Sequence, residues 1–306
     1  GECHASTLLR LADGRYLTAW FAGTKEGAPD VAIYGAIREL DGTWCAPRQW
    51  AKVDNLPHWN PVLFAPDDET IWLFFKVGER CDRWRTWVSQ SHDCGRAWTT
   101  PTLLVANDSG GRGPVKNKPI ILSDSAWLAP NSLEDGDQWR VLTDRSSDKG
   151  RTWHTSPEVP MNRATITGKG VIQPTLWESS PGRVHMLTRS TSGFICRSDS
   201  SDYGRTWREL TPTSLPNNNS GIDLAMASDG GLLLALNPVA ENWGARTPLT
   251  LAHSRDNGDS WQSCYTLESA PGRYSYPAVI ATPAGFAGTY TWRRQSVAFW
   301  EGKIVG

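Results

Sequence analysis

Four copies of one short motif recur along the chain, and this repetition constrains the fold more than any other feature. Each copy begins with Ser, has Asp and Gly at fixed positions after it, and ends with Trp. The copies are Ser91-His-Asp93-Cys-Gly95-Arg-Ala-Trp98, Ser146-Ser-Asp148-Lys-Gly150-Arg-Thr-Trp153, Ser200-Ser-Asp202-Tyr-Gly204-Arg-Thr-Trp207 and Ser254-Arg-Asp256-Asn-Gly258-Asp-Ser-Trp261. With a shorter fifth copy, Asp41-Gly-Thr-Trp44, the final tryptophans are 54, 55, 54 and 54 residues apart. Such even spacing predicts a chain built from structural repeats.

The motif is typical of a tight turn between two strands. Its Ser and Asp side chains accept hydrogen bonds from nearby backbone N–H groups, its Gly adopts a positive φ, and its Trp folds back over the turn. These are structural roles, so the motif indicates a fold and not a chemistry.

A second repeat sets the number of modules. Six segments read as strand, turn and strand, because each is rich in β-branched or aromatic residues and is broken by Gly, Pro or Asp. They cover residues 11–23, 64–78, 120–131, 177–190, 226–238 and 280–292. The chain is therefore expected to be all-β, a six-bladed β-propeller of four-stranded antiparallel blades forming one domain over residues 1–306. Too few residues follow Trp261 for a sixth complete motif, so a strand from the N-terminus is expected to close the last blade.

Composition excludes several classes of function. The chain has 31 basic and 32 acidic residues, so no strong field attracts nucleic acid or an anionic membrane. No stretch is long and apolar enough to span a membrane, and no signal peptide is visible. The six cysteines are scattered without metal-ligand spacing, so we expect no structural zinc site. No other metal and no cofactor is expected. The redox compartment stays open, and a secreted or periplasmic location is favoured.

The repeated motif resembles the Asp box of sialidases and related propellers, and the resemblance covers essentially the whole chain. In that family three arginines bind the substrate carboxylate, an Asp is the acid/base, and a Tyr assisted by a Glu is the nucleophile. Arg189 in HMLTRS and Arg246 in ENWGART match two of the arginines. Asp30 in APDVAIYGAI resembles the acid/base, for which apolar surroundings would raise the pKa. Tyr274 in RYSYPAVI resembles the nucleophile. Tyr276 is the nearby competitor and is expected to pack in the core.

Two positions depart from the family pattern. His4 stands where the first arginine is expected, and Gln173 stands where the glutamate that polarises the tyrosine is expected. A glutamine orients a hydroxyl group but cannot take its proton. Either another carboxylate serves, with Glu26, Glu178 and Glu241 as candidates, or the chemistry differs from that of ordinary sialidases.

Further polar and aromatic residues are expected near the pocket at the propeller axis. Lys116 and Lys118 flank an asparagine in the third blade, and Trp59, Asn60 and Lys76 belong to the second. Cationic groups around one cavity suit an acidic sugar. Four tryptophans outside the repeated motif could stack on sugar rings: Trp59, Trp177, Trp243 and Trp292.

The resemblance implies an exo-acting glycoside hydrolase that removes a terminal acidic sugar from a glycan, with retention of configuration. The sugar is sialic acid, a related ulosonic acid or a uronic-acid-containing unit. A polysaccharide lyase is the first alternative, in which Tyr274 or His4 removes a proton next to a uronate carboxylate. A non-catalytic glycan-binding propeller is the second.

Overall fold

The computed structural model describes residues 1–108 and 110–304, which form 23 β-strands and one short 3-10 helix, Cys81–Arg83. The strands of the first three sheets are β1 Glu2–Arg10, β2 Tyr16–Gly23, β3 Ala32–Arg38, β4 Arg48–Ala51, β5 His58–Phe64, β6 Ile71–Val77, β7 Arg85–Ser91, β8 Thr102–Leu103, β9 Ile120–Ile121, β10 Trp127–Asp135, β11 Gln138–Ser146 and β12 His154–Thr155. Those of the last three are β13 Val171–Ser180, β14 Arg183–Ser190, β15 Phe194–Ser200, β16 Thr211–Pro216, β17 Asp223–Met226, β18 Leu232–Leu236, β19 Leu249–Ser254, β20 Gln262–Glu268, β21 Tyr274–Thr282, β22 Gly285–Trp292 and β23 Ser296–Gly302.

The strands form six antiparallel sheets, each made of consecutive strands, so the predicted six-bladed β-propeller is confirmed. Five blades have four strands, and the last has three, β21 to β23, among the described residues. The prediction that an N-terminal strand completes the last blade is wrong. Strand β1 pairs with β2 as the innermost strand of the first blade. Most of β1 is buried, which suits an inner strand and not an exposed blade edge.

The hydrophobic core lies between neighbouring blades. Leu17 and Ile33 of blade one pack in the same buried cluster as Leu63 and Phe75 of blade two. Each blade is therefore stabilised mainly by the two beside it, as expected for a repeat architecture.

Each complete Asp box connects the third and fourth strands of its blade. In the box that begins at Ser200, the Ser200 hydroxyl accepts from the Gly204 N–H at 3.0 Å, and Asp202 accepts from the Thr206 N–H at 2.9 Å. The Gly204 carbonyl in turn accepts from the Thr143 hydroxyl of the preceding blade at 3.0 Å. The box thus also ties one blade to the previous one.

Each blade carries one non-glycine residue with a left-handed backbone near the start of its inner strand. These residues are Ala5, Asn60, Lys116, Gln173, Asn219 and Tyr276, with φ between 44° and 66°. In blades one, two, four and six the register with the second strand shifts at this point, as in a β-bulge. A left-handed conformation is unfavourable for Ala, Lys, Gln and Tyr, though less so for Asn, and it often marks a functional site.

Candidate functional site

Tyr276 lies at the centre of a cluster of polar side chains contributed by several blades. Its hydroxyl oxygen lies 3.0 Å from Nη1 of Arg189 and 3.3 Å from Nε2 of Gln173, and both nitrogens donate to it. The left-handed backbone of Tyr276, with φ of 52°, lies inside the bulge of β21. This bulge gives Tyr276 a direction that simple strand alternation would not.

Tyr274, the tyrosine favoured by the family resemblance, is not in this cluster. Its side chain is 1% exposed and packs with Leu249 and Tyr290 between the last two blades. Its hydroxyl oxygen accepts from Arg293 at 3.3 Å. The two tyrosines are two residues apart, yet the bulge between Ser275 and Ala278 separates their surroundings.

Gln173 and Arg189 come from the first two strands of blade four. Arg189 is 3% exposed, and its Nη1 donates to Oε1 of Gln173 at 3.1 Å. Because a guanidinium only donates, the Gln173 oxygen faces Arg189 and its nitrogen faces Tyr276. Nε of Arg189 also donates to Oδ1 of Asn219 at 2.7 Å, which fixes the plane of the guanidinium.

Arg246 approaches Tyr276 from the fifth blade. Its guanidinium carbon lies 5.7 Å from the centre of the Tyr276 ring, and its Nη1 donates to the Ser275 hydroxyl at 3.2 Å. Burial, together with neighbouring arginines, lowers the pKa of Arg246 to about 10. Among the described residues, no carboxylate forms an ion pair with Arg189 or Arg246.

The His4 ring packs against the Tyr276 ring, with ring centres 4.1 Å apart and planes tilted by 33°, and its Nδ1 lies 3.0 Å from the Thr291 hydroxyl. The ring is 1% exposed. Burial, reinforced by the charges of Arg294 and Arg246, holds the pKa of His4 well below its usual range. His4 is therefore a neutral ring at physiological pH and does not supply the positive charge of an arginine.

Two arginines that the sequence reasoning missed also lie in this region. Arg273 and Arg294 both lower the pKa of His4 through their charge, after the effect of burial. Arg294 forms an ion pair through Nη1 with Glu26, whose loop joins β2 to β3. Arg294 follows the second strand of its blade, and Arg189 lies near the end of the same strand in its own blade. This shared position after or near the end of a second strand is the sequence feature that could have indicated Arg294.

The two lysines expected in the pocket have different surroundings. Nζ of Lys116 donates to Oδ1 of Asn117 at 2.8 Å, to the Ile222 carbonyl at 2.7 Å and to the Pro277 carbonyl. Burial lowers the pKa of Lys116 to about 7. Lys118 instead forms an ion pair with Asp223 at 3.0 Å. The structure therefore brings only Lys116 close to Tyr276.

Gly221 provides the space in which Lys116 and Tyr276 meet. A Cβ atom at this position would lie 3.0 Å from both Cε of Lys116 and Cδ1 of Tyr276. Nζ of Lys116 is 6.0 Å from the centre of the Tyr276 ring.

Asn60 and Trp59 lie on the blade-two side of the cluster. Asn60 is 3% exposed, and Trp59 packs against Phe21, which contacts the His4 ring edge at 5.6 Å between ring centres. The Trp59 indole nitrogen donates to the Gly78 carbonyl at 2.9 Å.

Among the other tryptophans, Trp243 is 61% exposed and, with Trp139, lies within 6 Å of the Arg189 guanidinium carbon. Trp177 is buried and packs on His185, and Trp292 packs on Arg293. Trp243 is thus the tryptophan of this set with the most surface open to a ligand.

The carboxylates have distinct environments. Asp30 is exposed on the same loop as Glu26, and its oxygens accept from the hydroxyl and N–H of Thr24, both at 2.8 Å. These bonds lower the pKa of Asp30, so the expectation of a raised pKa is wrong. Glu178 accepts from Ser123 and Gly182, so hydrogen bonds within the blades already occupy its oxygens.

Glu134 is a carboxyl group that the sequence reasoning did not select. It lies near the end of β10 and lines a cavity of about 130 Å³ together with Lys76 and Trp84. Burial raises the pKa of Glu134, and the charge of Arg189 partly opposes this. Because burial favours its protonated form and the charge of Arg189 reaches it, Glu134 is a candidate proton donor.

The described residues contain neither a group of side chains suited to a metal ion nor a helix that could cross a membrane. All six cysteines lack a disulfide partner in the structure.

Comparison with known proteins places the fold in context. The family described as BNR repeat-like domain matches residues 14–288. No curated protein sequence matches the chain. The chain is similar to the Hadza microbial sialidase Hz136, with a TM-score of 0.81 and 17% identity over 99% of this chain and 66% of that one. It is also similar to the NanB sialidase of Streptococcus pneumoniae, with a TM-score of 0.75 and 13% identity over 97% of this chain and 67% of that one.

A protein of unknown function from Dyadobacter fermentans has a TM-score of 0.77 and 14% identity over 95% of this chain and 90% of that one. The chain thus spans about two thirds of the two sialidases. At these identities the likeness concerns the fold. The match over residues 14–288, on a propeller with repeated Asp boxes, means that this chain belongs to the BNR repeat-like domain family.

Proposed function

We propose that the protein is an exo-acting glycoside hydrolase that removes a terminal acidic sugar. The observation that carries this proposal is the position of Arg189 and Arg246 at Tyr276, with no carboxylate ion-paired to either arginine among the described residues. A largely buried guanidinium without a counter-ion is costly, and an anionic ligand would remove that cost. A sugar carboxylate has the charge and the planar geometry that two guanidinium groups bind.

In this proposal Tyr276, and not Tyr274, is the nucleophile. The Tyr276 oxygen attacks the anomeric carbon, the glycosidic bond breaks, and the leaving oxygen takes a proton from a carboxyl group. Water then cleaves the glycosyl–tyrosine bond, so the configuration is retained. Gln173 orients the hydroxyl of Tyr276 but cannot accept its proton, so that proton passes to water or to the ligand.

Asp30 and Glu134 are the two candidates for the proton donor. The lowered pKa of Asp30 keeps its carboxylate ionised at neutral pH, whereas burial favours the protonated form of Glu134. By protonation state alone, Glu134 therefore fits the donor role better than Asp30 in the free protein.

A lyase acting on a uronate-containing glycan is a second candidate, and one observation favours it. Both hydrogen bonds at the Tyr276 oxygen come from donors, and no described carboxylate is bonded to that oxygen. An oxygen in this environment could act as the base that removes the proton next to a uronate carboxylate, while Arg189 and Arg246 stabilise the developing negative charge.

The test is a panel of fluorogenic glycosides of sialic, ulosonic and uronic acids, together with uronate polymers. Release of the fluorophore supports hydrolysis, and ultraviolet absorbance of an unsaturated uronate supports the lyase. Tyr276→Phe should abolish turnover, whereas Tyr274→Phe, in the same strand, should retain it. Glycan binding without turnover, unaffected by Tyr276→Phe, would instead identify a binding protein.

A further inference from the structure

We infer that Arg294, from the last blade, supplies the carboxylate-binding cation that the first blade lacks because His4 occupies the expected position. This inference rests on the proposed function, because it specifies how the same site binds an acidic sugar. Arg294 lies in the turn that follows strand β22, and not on an inner strand.

The first argument is position. The turn between β22 and β23 is bonded to the start of β1, because the Cys3 N–H donates to the Arg294 carbonyl at 3.0 Å. Cys3 directly precedes His4, so the backbone of Arg294 lies next to the position that lacks an arginine. The side-chain charge is also close to His4, because Arg294 lowers the pKa of His4 more than any other charged group does, after the effect of burial.

The second argument is the backbone conformation. Arg293 and Arg294 have φ of 53° and 60°, a left-handed conformation that is usually taken by Gly or Asn in such turns. Two consecutive arginines in this conformation are unfavourable, so the surrounding structure must hold them there. Strain of this kind is expected where a side chain has to be aimed at a ligand.

The third argument is the state of the guanidinium. The side chain is 17% exposed, and its shortest contacts to the carboxylates of Glu26 and, at 3.9 Å, of Glu2 are made by Nη1. Nε and Nη2 make no hydrogen bond to any residue among 1–108 and 110–304. Glu26 therefore anchors one edge of the guanidinium, while the remaining donors stay available to a ligand carboxylate.

In this arrangement His4 and Arg294 have separate roles, one in packing and one in charge, which a single arginine would otherwise combine. The neutral His4 ring packs on Tyr276 and fixes the ring position, which a charged group would do at a higher desolvation cost. Arg294 supplies the charge from the neighbouring blade. The site then contains three arginines at the ligand, Arg189, Arg246 and Arg294.

The experiment measures binding of N-acetylneuraminate and D-glucuronate, and of their methyl esters, to the full chain by calorimetry. Arg294→Gln removes the charge but keeps a similar side-chain length. It should weaken binding of whichever acid wild type binds more tightly by about 10- to 100-fold, as expected for loss of a charge-assisted hydrogen bond. The methyl ester should bind wild type and Arg294→Gln equally. Arg294→Lys should recover part of the affinity.

Arg293→Gln is the matched control, because Arg293 shares the turn and the left-handed backbone but contacts Trp292 and Tyr274. It should bind the acid like wild type. Equal binding of the acid by wild type and by folded Arg294→Gln would overturn this inference and leave the proposed function intact. Failure of wild type to bind either acid would overturn both.

Discussion

Gln173 donates a hydrogen bond to the hydroxyl oxygen of Tyr276 at 3.3 Å, while its own carbonyl oxygen accepts from Arg189 at 3.1 Å. This arrangement leaves the tyrosine oxygen with donors on two sides. A carboxylate at position 173 would instead accept from both partners. On this side, the donor to the tyrosine oxygen is therefore the amide nitrogen of Gln173.

Gln173→Glu is expected to increase kcat for release of an acidic sugar by about 10-fold, because general-base assistance to a hydroxyl typically contributes at least that much. The new charge also neutralises Arg189 in part, so KM for the acid should rise. Steady-state kinetics with a fluorogenic acidic glycoside separates the two effects. Gln173→Ala is the control that only removes the amide, and equal loss of kcat in both variants would argue against Tyr276 as the nucleophile.

Glu134→Gln is expected to lower kcat by about 100-fold, which is typical of losing a general acid. A donor must be protonated, so wild-type activity should decline as pH rises through the raised pKa of Glu134. The variant should lack this decline. The pH profiles of Asp30→Asn and of Glu158→Gln, an exposed residue paired with Arg140, serve for comparison. A decline retained in Glu134→Gln but lost in Asp30→Asn would assign the donor to Asp30.

Lys116→Met is expected to change the pH dependence of stability. The pKa of Lys116 is about 7 in the folded chain, against 10.5 for an ordinary lysine, because burial disfavours its charge. Between these values the unfolded chain holds a proton that the folded chain has lost, so this residue makes stability rise with pH. Below about pH 7 both states are protonated and the contribution is constant.

The free energy of unfolding of wild type, relative to Lys116→Met, should therefore increase by about 1.4 kcal/mol per pH unit above neutrality. Urea denaturation at several pH values measures this difference. Lys76, whose pKa burial lowers to about 8, is present in both proteins, so its contribution to the pH dependence of stability cancels in the difference. A difference that does not vary with pH would contradict the buried, uncharged state of Lys116.

Gly204→Ala is expected to destabilise the propeller by about 1–3 kcal/mol more than Gly230→Ala, through overpacking. Both glycines have positive φ, 73° and 85°, so the backbone strain is matched. A Cβ at Gly204 would lie 2.5 Å from a methyl carbon of Leu128 in the preceding blade, whereas nothing lies within 4 Å at Gly230. Thermal or urea unfolding of both variants measures the difference, and equal losses would show that the box does not depend on this close contact.

The blade count could be predicted from sequence because the signals are local. In the box at Ser200, the side chains of Ser200 and Asp202 accept from N–H groups that lie four residues further along the chain, so the turn is encoded in one short segment. The closure of the last blade could not be predicted in the same way. It depends on which strand is buried at the axis, and β1 is already used there by the first blade.

Within the candidate site, sequence reasoning reached several residues that the structure brings together. His4, Gln173, Arg189 and Arg246 were chosen through the family resemblance, and all lie around Tyr276. The choice between Tyr274 and Tyr276 was beyond that reasoning, because a bulge decides which of them faces the cluster. Glu134 carries no sequence motif, and Arg294 is indicated only by its place after the second strand of its blade.

The sequence by itself determined the repeated turn, the number of blades and the family, because these depend on hydrogen bonds and hydrophobic patterns within short segments. Only the tertiary structure decided which side chains meet. The neutral state of His4, the orientation of Gln173 and the pairing of Arg294 with Glu26 arise where distant segments converge. Burial and the fields of neighbouring charges act only after that convergence, so no short segment encodes them.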